Sequence, residues 1–248
     1  MIGGSGTETL LIRADGPSLT AFGVPGALAA PSLVLTAQAT GVTLATNTGW
    51  GTNSNPAQIA SVAVQVGAFA LESGSADCAV IVTLQPGAYT VQVSGVGNTT
   101  GVALAEVYEV ANTGTARLVN IATRAQVGTG GNIIIAGFVV SGSGSEELLV
   151  RGDGPSLTPF GVAGVLAEPS LSLLGSSQNL VASNTGWGTS VSPSQIAGVA
   201  EAVGAFSFAA GSADSAVVVS LPAGAYTAQV SGVNSATGVA LVEVYEVP

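Results

Sequence analysis

The chain repeats itself once, and this constrains the fold more than any other feature. Glu8-Thr-Leu-Leu-Ile-Arg-Ala-Asp-Gly-Pro-Ser-Leu19 returns 138 positions later as Glu146-Glu-Leu-Leu-Val-Arg-Gly-Asp-Gly-Pro-Ser-Leu157. After a one-residue deletion, Asn47-Thr-Gly-Trp-Gly-Thr52 returns as Asn184-Thr-Gly-Trp-Gly-Thr189. Gly74-Ser-Ala-Asp77 matches Gly211-Ser-Ala-Asp214, Gly87-Ala-Tyr-Thr90 matches Gly224-Ala-Tyr-Thr227, and the segment from Gly101 to Glu109 matches that from Gly238 to Glu246. Two copies of one unit of about a hundred residues follow, the usual size of a sandwich domain.

Inside each copy the apolar period is two. Tyr89, Val91 and Val93 alternate with Thr90, Gln92 and Ser94, the pattern of a half-buried strand. Val102, Leu104, Glu106, Tyr108 and Val110 line one face of the last strand, with Ala103, Ala105, Val107 and Glu109 on the other. Further strands are expected at Leu10 to Ala14, Ser32 to Ala37, Thr43 to Asn47, Ala68 to Leu71 and Asp77 to Leu84, separated by Gly, Pro, Asn and Ser turns. One stretch is helical instead. Asn55-Pro56 followed by Ile59, Val62, Ala63 and Val66 reads as a capped turn or two of helix, and Ser192-Pro193 with Ile196, Val199 and Val203 repeats it.

Between the copies lies a segment with no counterpart before the first. Its two strand-like runs, Arg117 to Arg124 and Asn132 to Val140, flank the Gly-rich Gly128-Thr-Gly-Gly131, so a β-hairpin is expected. The expected organisation is all-β. Residues 1–110 form a first antiparallel sandwich of jelly-roll or Greek-key type, 111–140 a connecting hairpin, and 141–248 a second sandwich.

Charge is scarce, at 7% of residues, and the net charge is -10 with all four cations Arg. Nucleic acid is disfavoured as a partner, because phosphate binding needs clustered cations. His and Lys are absent, which removes the commonest general base, the commonest metal ligand, and every Ser-His, Cys-His or Ser-Lys nucleophile. Carboxylates, Tyr and the lone Cys78 are what remain for catalysis, and a non-enzymatic role is expected. Cys78 stands where the second copy has Ser215, so it reads as a small core filler. No apolar run approaches the roughly 18 residues of a membrane helix. Met1-Ile2-Gly3-Gly4 has neither a basic nor an apolar leader region, so no signal peptide is read there.

Arg13 and Asp15, two apart on a strand end, point to one side, and Arg151 with Asp153 repeats them. In a chain this poor in charge, the expectation is a structural ion pair completed by Glu106 or Glu243 rather than a ligand fork. Glu106 and Glu109 lie three apart and face opposite ways, so they cannot flank one glycosidic bond. Asp77 and Asp214, at strand starts after Gly-Ser-Ala, are weak calcium candidates, since no Asp-x-Asp-x-Asp cluster supports them; a turn-capping role is expected, and no cofactor. Trp50 and Trp187 are the candidate ligand-facing residues, able to stack on a sugar ring or fold back over the sandwich end. Arg117, Val119, Ile121, Ile133, Ile135, Phe138 and Val140 are candidate assembly-strand residues.

The runs Arg13-Ala-Asp-Gly-Pro-Ser-Leu-Thr-Ala-Phe-Gly-Val24, Gly87 to Gly95, Gly101 to Glu109 and Ala116 to Arg124 resemble a repeat module of large secreted bacterial proteins. Its last strands are similar to those of pre-peptidase C-terminal β-sandwich domains. The resemblance implies export, an extracellular or cell-surface location and a sandwich fold, and implies no activity. Relatives of that module carry acidic residues before the Trp, where this chain has Asn47-Thr48-Gly49 and Asn184-Thr185-Gly186, which takes support from calcium. The function expected is that of an extracellular structural or adhesive protein whose copies assemble by strand addition. Glycan binding through the loop Trp residues is the alternative.

Overall fold

Alternating apolar residues become strand only where a backbone partner exists, and that rule separates the two halves of this protein. A computed structural model describes all residues, Met1–Pro248, which fall into the units Met1–Val119 and Asn120–Pro248.

In the first unit the elements are β1 (Ile2–Gly3), β2 (Glu8–Asp15), β3 (Pro31–Ala37), β4 (Thr43–Asn47), α1 (Pro56–Gln65), β5 (Cys78–Leu84), β6 (Tyr89–Gly95), β7 (Leu104–Asn112) and β8 (Arg117–Leu118). Two antiparallel three-stranded sheets, ordered β5-β2-β7 and β4-β3-β6, face one another. Leu10, Ile12 and Ala14 of β2, Leu33 and Leu35 of β3, and Cys78 and Val80 of β5 meet in one core between them. Successive strand residues point to opposite faces, so Leu11 and Ala79 emerge on the outer side and bury Ile59, Val62 and Ala63 of α1. The helix starts as its sequence dictates: the Gln58 N–H donates to Asn55 Oδ1 at 3.1 Å, and Pro56 opens the first turn.

The second unit contains β9 (Asn120–Val127), β10 (Ile134–Asp153), β11 (Pro169–Gly175), β12 (Leu180–Asn184), α2 (Pro193–Ala202), β13 (Ser215–Gly232) and β14 (Gly238–Glu246). β10 and β13 are long strands that bend from one layer into the other. The second half of β10 pairs the first half of β13, from Ser145 opposite Pro222 to Gly152 opposite Ser215. Their other halves pair from Ile134 opposite Val230 to Val140 opposite Gly224. Each layer therefore gains a strand that the first unit lacks. β9 lies on the free edge of β14, and the first half of β10 lies on the free edge of β13.

The expected hairpin over 111–140 is not formed. β9 pairs β14 and β10 pairs β13, so the two arms sit in different layers, with the turn Gly128–Asn132 carrying the chain across. The segment is also divided between the units. Arg117–Leu118 pairs Gly3–Ile2, and Ala116 is fully buried in the first core, whereas everything from Asn120 belongs to the second. Periodicity within a run cannot reveal a partner more than a hundred residues away, such as Tyr245 for Asn120. Ala68–Leu71 is not a strand either; its residues follow the end of α1 irregularly, and the Phe69 carbonyl accepts from Arg13 Nη1 at 2.8 Å. The Asp-Gly-Pro turn opens a short 3-10 helix, Pro17–Phe22, repeated at Pro155–Phe160.

Candidate functional site

The few charges converge on one buried arrangement in each unit. Arg13 and Asp15 are neighbours on one side of β2, and the register of β2 against β7 places Glu106 directly across from Arg13. Arg13 Nη2 meets Asp15 Oδ2 at 2.9 Å and Nε meets Glu106 Oε2 at 3.2 Å. The guanidinium lies 4.2 Å from the Phe69 ring centroid, a cation–π contact that closes the site from outside. Tyr108 Oη donates to Glu106 Oε1 at 2.7 Å. Arg151, Asp153, Glu243, Phe206 and Tyr245 repeat the set, with Nε to Asp153 Oδ1 at 3.2 Å and to Glu243 Oε2 at 3.3 Å. Phe208 joins the aromatic lid there, at 4.0 Å from the guanidinium.

Two carboxylates face one cation, which favours a proton on Asp15. Burial, then the hydrogen bond and charge of Glu106, push the Asp15 carboxyl up to about 8 against the opposing pull of Arg13. Burial raises Asp153 well above the carboxylate range in the same way. The Tyr108 and Tyr245 phenols are raised by burial and by the glutamates they bond. Arg13 and Asp15 have no accessible surface. The arrangement ties β7 to β2 in the first unit and β14 to β10 in the second.

Asp77 is a clamp on the turn that follows. Its Oδ1 accepts from the Gly16 N–H at 2.7 Å and the Ser18 N–H at 3.3 Å, and its Oδ2 from Ser18 Oγ at 2.6 Å. Burial alone would raise this carboxyl; the bonds from Ser18 and Gly16 outweigh it and hold the group below its usual range. Asp214 makes the same three contacts with Gly154 and Ser156. Both oxygens thus face N–H and O–H donors, the opposite of the oxygen cage calcium needs. Asn47 Oδ1 likewise accepts from the Gly49 and Ala79 N–H groups.

Trp50 and Trp187 are half-buried against α1 and α2. The Trp50 indole donates to the Glu72 carbonyl at 3.0 Å, and that of Trp187 to Ser212 Oγ at 3.1 Å. Trp50, Pro56 and Ser75 line a shallow open cleft without a charged group.

The largest difference between the units is their flank. In the second, Val127 and Ile134 are buried with Ala228, Val230, Ala240, Val242 and Val244, while Ile121 and Phe138 pack against them. Phe138 stacks on Tyr226 at 5.7 Å, whereas Ile135 points outward. The first unit has no strand at either position. Val244 is 7% exposed but its counterpart Val107 is 40%, and Val102 and Leu104 are also open. Ala103 and Ala105 are exposed where Ala240 and Val242 are sealed. β14 begins at Gly238 because β9 pairs it there, whereas β7 begins only at Leu104, leaving Gly101–Ala103 without a ladder. Of the seven assembly-strand residues singled out, Arg117 pairs within the first unit, and Ile121, Ile133, Ile135, Phe138 and Val140 lie in the second; Val119 ends the first, where its N–H donates to the Met1 carbonyl.

Sequence reasoning missed Phe69, Phe206, Tyr108 and Tyr245 as members of the Arg sites. Their recurrence at matched positions was the available signal.

No protein-family model matches the chain, and no curated protein matches it. Among solved structures, it has a distant likeness to PNGF-II, at 9% identity and a TM-score of 0.23, over 98% of this chain and 57% of that one. A second is the infectious bursal disease virus VP2 subviral particle, at 11% identity and a TM-score of 0.20, over 98% of this chain and 58% of that one. The chain spans little more than half the length of each.

Proposed function

We propose that this is a non-enzymatic extracellular structural or adhesive protein of a bacterial surface, which assembles with copies of itself by strand addition. The observation carrying the proposal is the open flank of the first unit. There β6 and β7 each present an unpaired edge, and core-facing Val107 stands 40% exposed. Unpaired edges beside apolar surface are templates for another strand. A structural role is favoured further by the ionisable side chains of the two Arg sites, which are committed to buried contacts.

Light scattering coupled to size exclusion, with negative-stain microscopy, tests this. Oligomers or filaments at micromolar concentration are expected, and a clean monomer would overturn the proposal. The glycan reading has less support, because each indole N–H already has an internal acceptor and the rings pack on the helices.

A further inference from the structure

We infer that the open flank of the first unit is a binding site for a two-strand segment with the chemistry of Asn120–Phe138. This rests on the reading of those edges as assembly sites and specifies what they select.

The second unit displays the occupied form of the same site. β9 covers the β14 edge with Asn120 opposite Tyr245 and Val127 opposite Gly238. The first half of β10 covers the β13 edge with Ile134 opposite Val230 and Phe138 opposite Tyr226. Repeat correspondence transfers that register to the first unit. Asn120 of a donor falls opposite Tyr108, Val127 opposite Gly101, Ile134 opposite Val93 and Phe138 opposite Tyr89. The lining is of matching chemistry: Val91, Val93, Ala105 and Val107 stand where Ala228, Val230, Val242 and Val244 enclose Val127 and Ile134. Two positions are already filled. Ile2 bridges Gly87 as Val140 pairs Gly224, and Met1 precedes it at the place of Val139, so the donor ends at Phe138.

The chain's own segment does not satisfy the site, because it is engaged in the second unit. Handing it to a neighbour would open one flank while closing another, leaving the number of paired strands unchanged. The chemistry the site selects is an extended run of about twenty residues, apolar at alternate positions, with a Gly-rich crossing between its two strands.

The test adds a synthetic peptide of residues 120–138 to the full-length protein, read by calorimetry and by hydrogen exchange resolved along the chain. One peptide per chain is expected, with at least tenfold slower exchange at Tyr89–Gly95 and Leu104–Asn112 and no change in β13 or β14. A peptide carrying Ile134→Asp, and a protein carrying Val107→Asp at the already exposed position, should each lose that protection. Absence of binding, protection elsewhere, or equal protection by a scrambled peptide would overturn the inference. Chain-only oligomers whose β6 and β7 amides are already slow and ignore the peptide would overturn it too, leaving assembly intact. A monomeric protein that binds the peptide sustains the site while removing self-assembly.

Discussion

Val93 and Val230 sit on matching strands of the two units, yet Val93 is half-exposed and Val230 has no accessible surface. Arg13 and Arg151 also match, and both are buried in the same network. The two comparisons teach different things. What lies between strands β2, β5 and β7 is closed by each unit from its own residues, so it is indifferent to neighbours. What lies at the flank depends on a segment from outside the repeat.

The strongest test of that division is to remove what is common. Arg13→Ala and Arg151→Ala each leave two facing carboxylates buried without a cation, and each should cost its own unit about 3–5 kcal/mol. Urea unfolding followed by hydrogen exchange would assign the losses; markedly unequal values would mean the networks are not equivalent. The flank should respond unequally. Val230→Ala removes two methyl groups from a sealed site and should cost about 2 kcal/mol, while Val93→Ala should cost under about 1 kcal/mol. Equal costs would mean that the first unit is closed by something unseen.

The pH response sharpens the comparison further. Asp15 and Asp153 are protonated in the folded protein over a range where they ionise on unfolding. The folded state binds more protons there, so stability falls as pH rises from the ordinary carboxylate range to about 8 for Asp15. Both units should show lower urea midpoints at pH 9 than at pH 5. The first carries a further contribution, because Glu8 is buried with both oxygens unpartnered, raised by burial and by the charge of Glu109. Its counterpart Glu146 is exposed. Glu8→Gln should lessen the first unit's fall between pH 5 and pH 9, and an unchanged fall would assign none of it to Glu8.

The smallest effect is expected at Cys78. Its Sγ donates to the Pro31 carbonyl as Ser215 Oγ does to that of Pro169, so Cys78→Ser should shift stability by less than about 1 kcal/mol. Burial pushes the thiol up to about 11, and it should resist alkylation until the unit unfolds.

Much of the fold was legible in the sequence because it is local. Alternation marked β6, an apolar run ahead of the Asp-Gly-Pro turn marked β2, and Asn55-Pro56 marked the start of α1. The Arg13–Asp15 pair was legible for the same reason, two residues apart on one strand. The clamp was legible only in half. Asp77 reads as a turn cap, but the turn it holds lies about sixty residues earlier, at Gly16 and Ser18. The stretch Ala68–Leu71 is apolar like a buried strand, yet its aromatic residue is drawn over a guanidinium instead of into a ladder. The hairpin expectation failed where two adjacent runs each had a better partner far along the chain, a choice set by packing on the flank.

The division of the linker between Val119 and Asn120 means that the unit of inheritance and the unit of folding are out of phase. A duplication copying residues 1–110 would reproduce the letters of a repeat but omit Ala116 and Leu118, which the first core buries or packs against. A cut after Val119 severs no strand pairing on either side. Recombination, or an engineer splicing modules into longer arrays, would preserve intact bodies by respecting that joint rather than the visible repeat boundary.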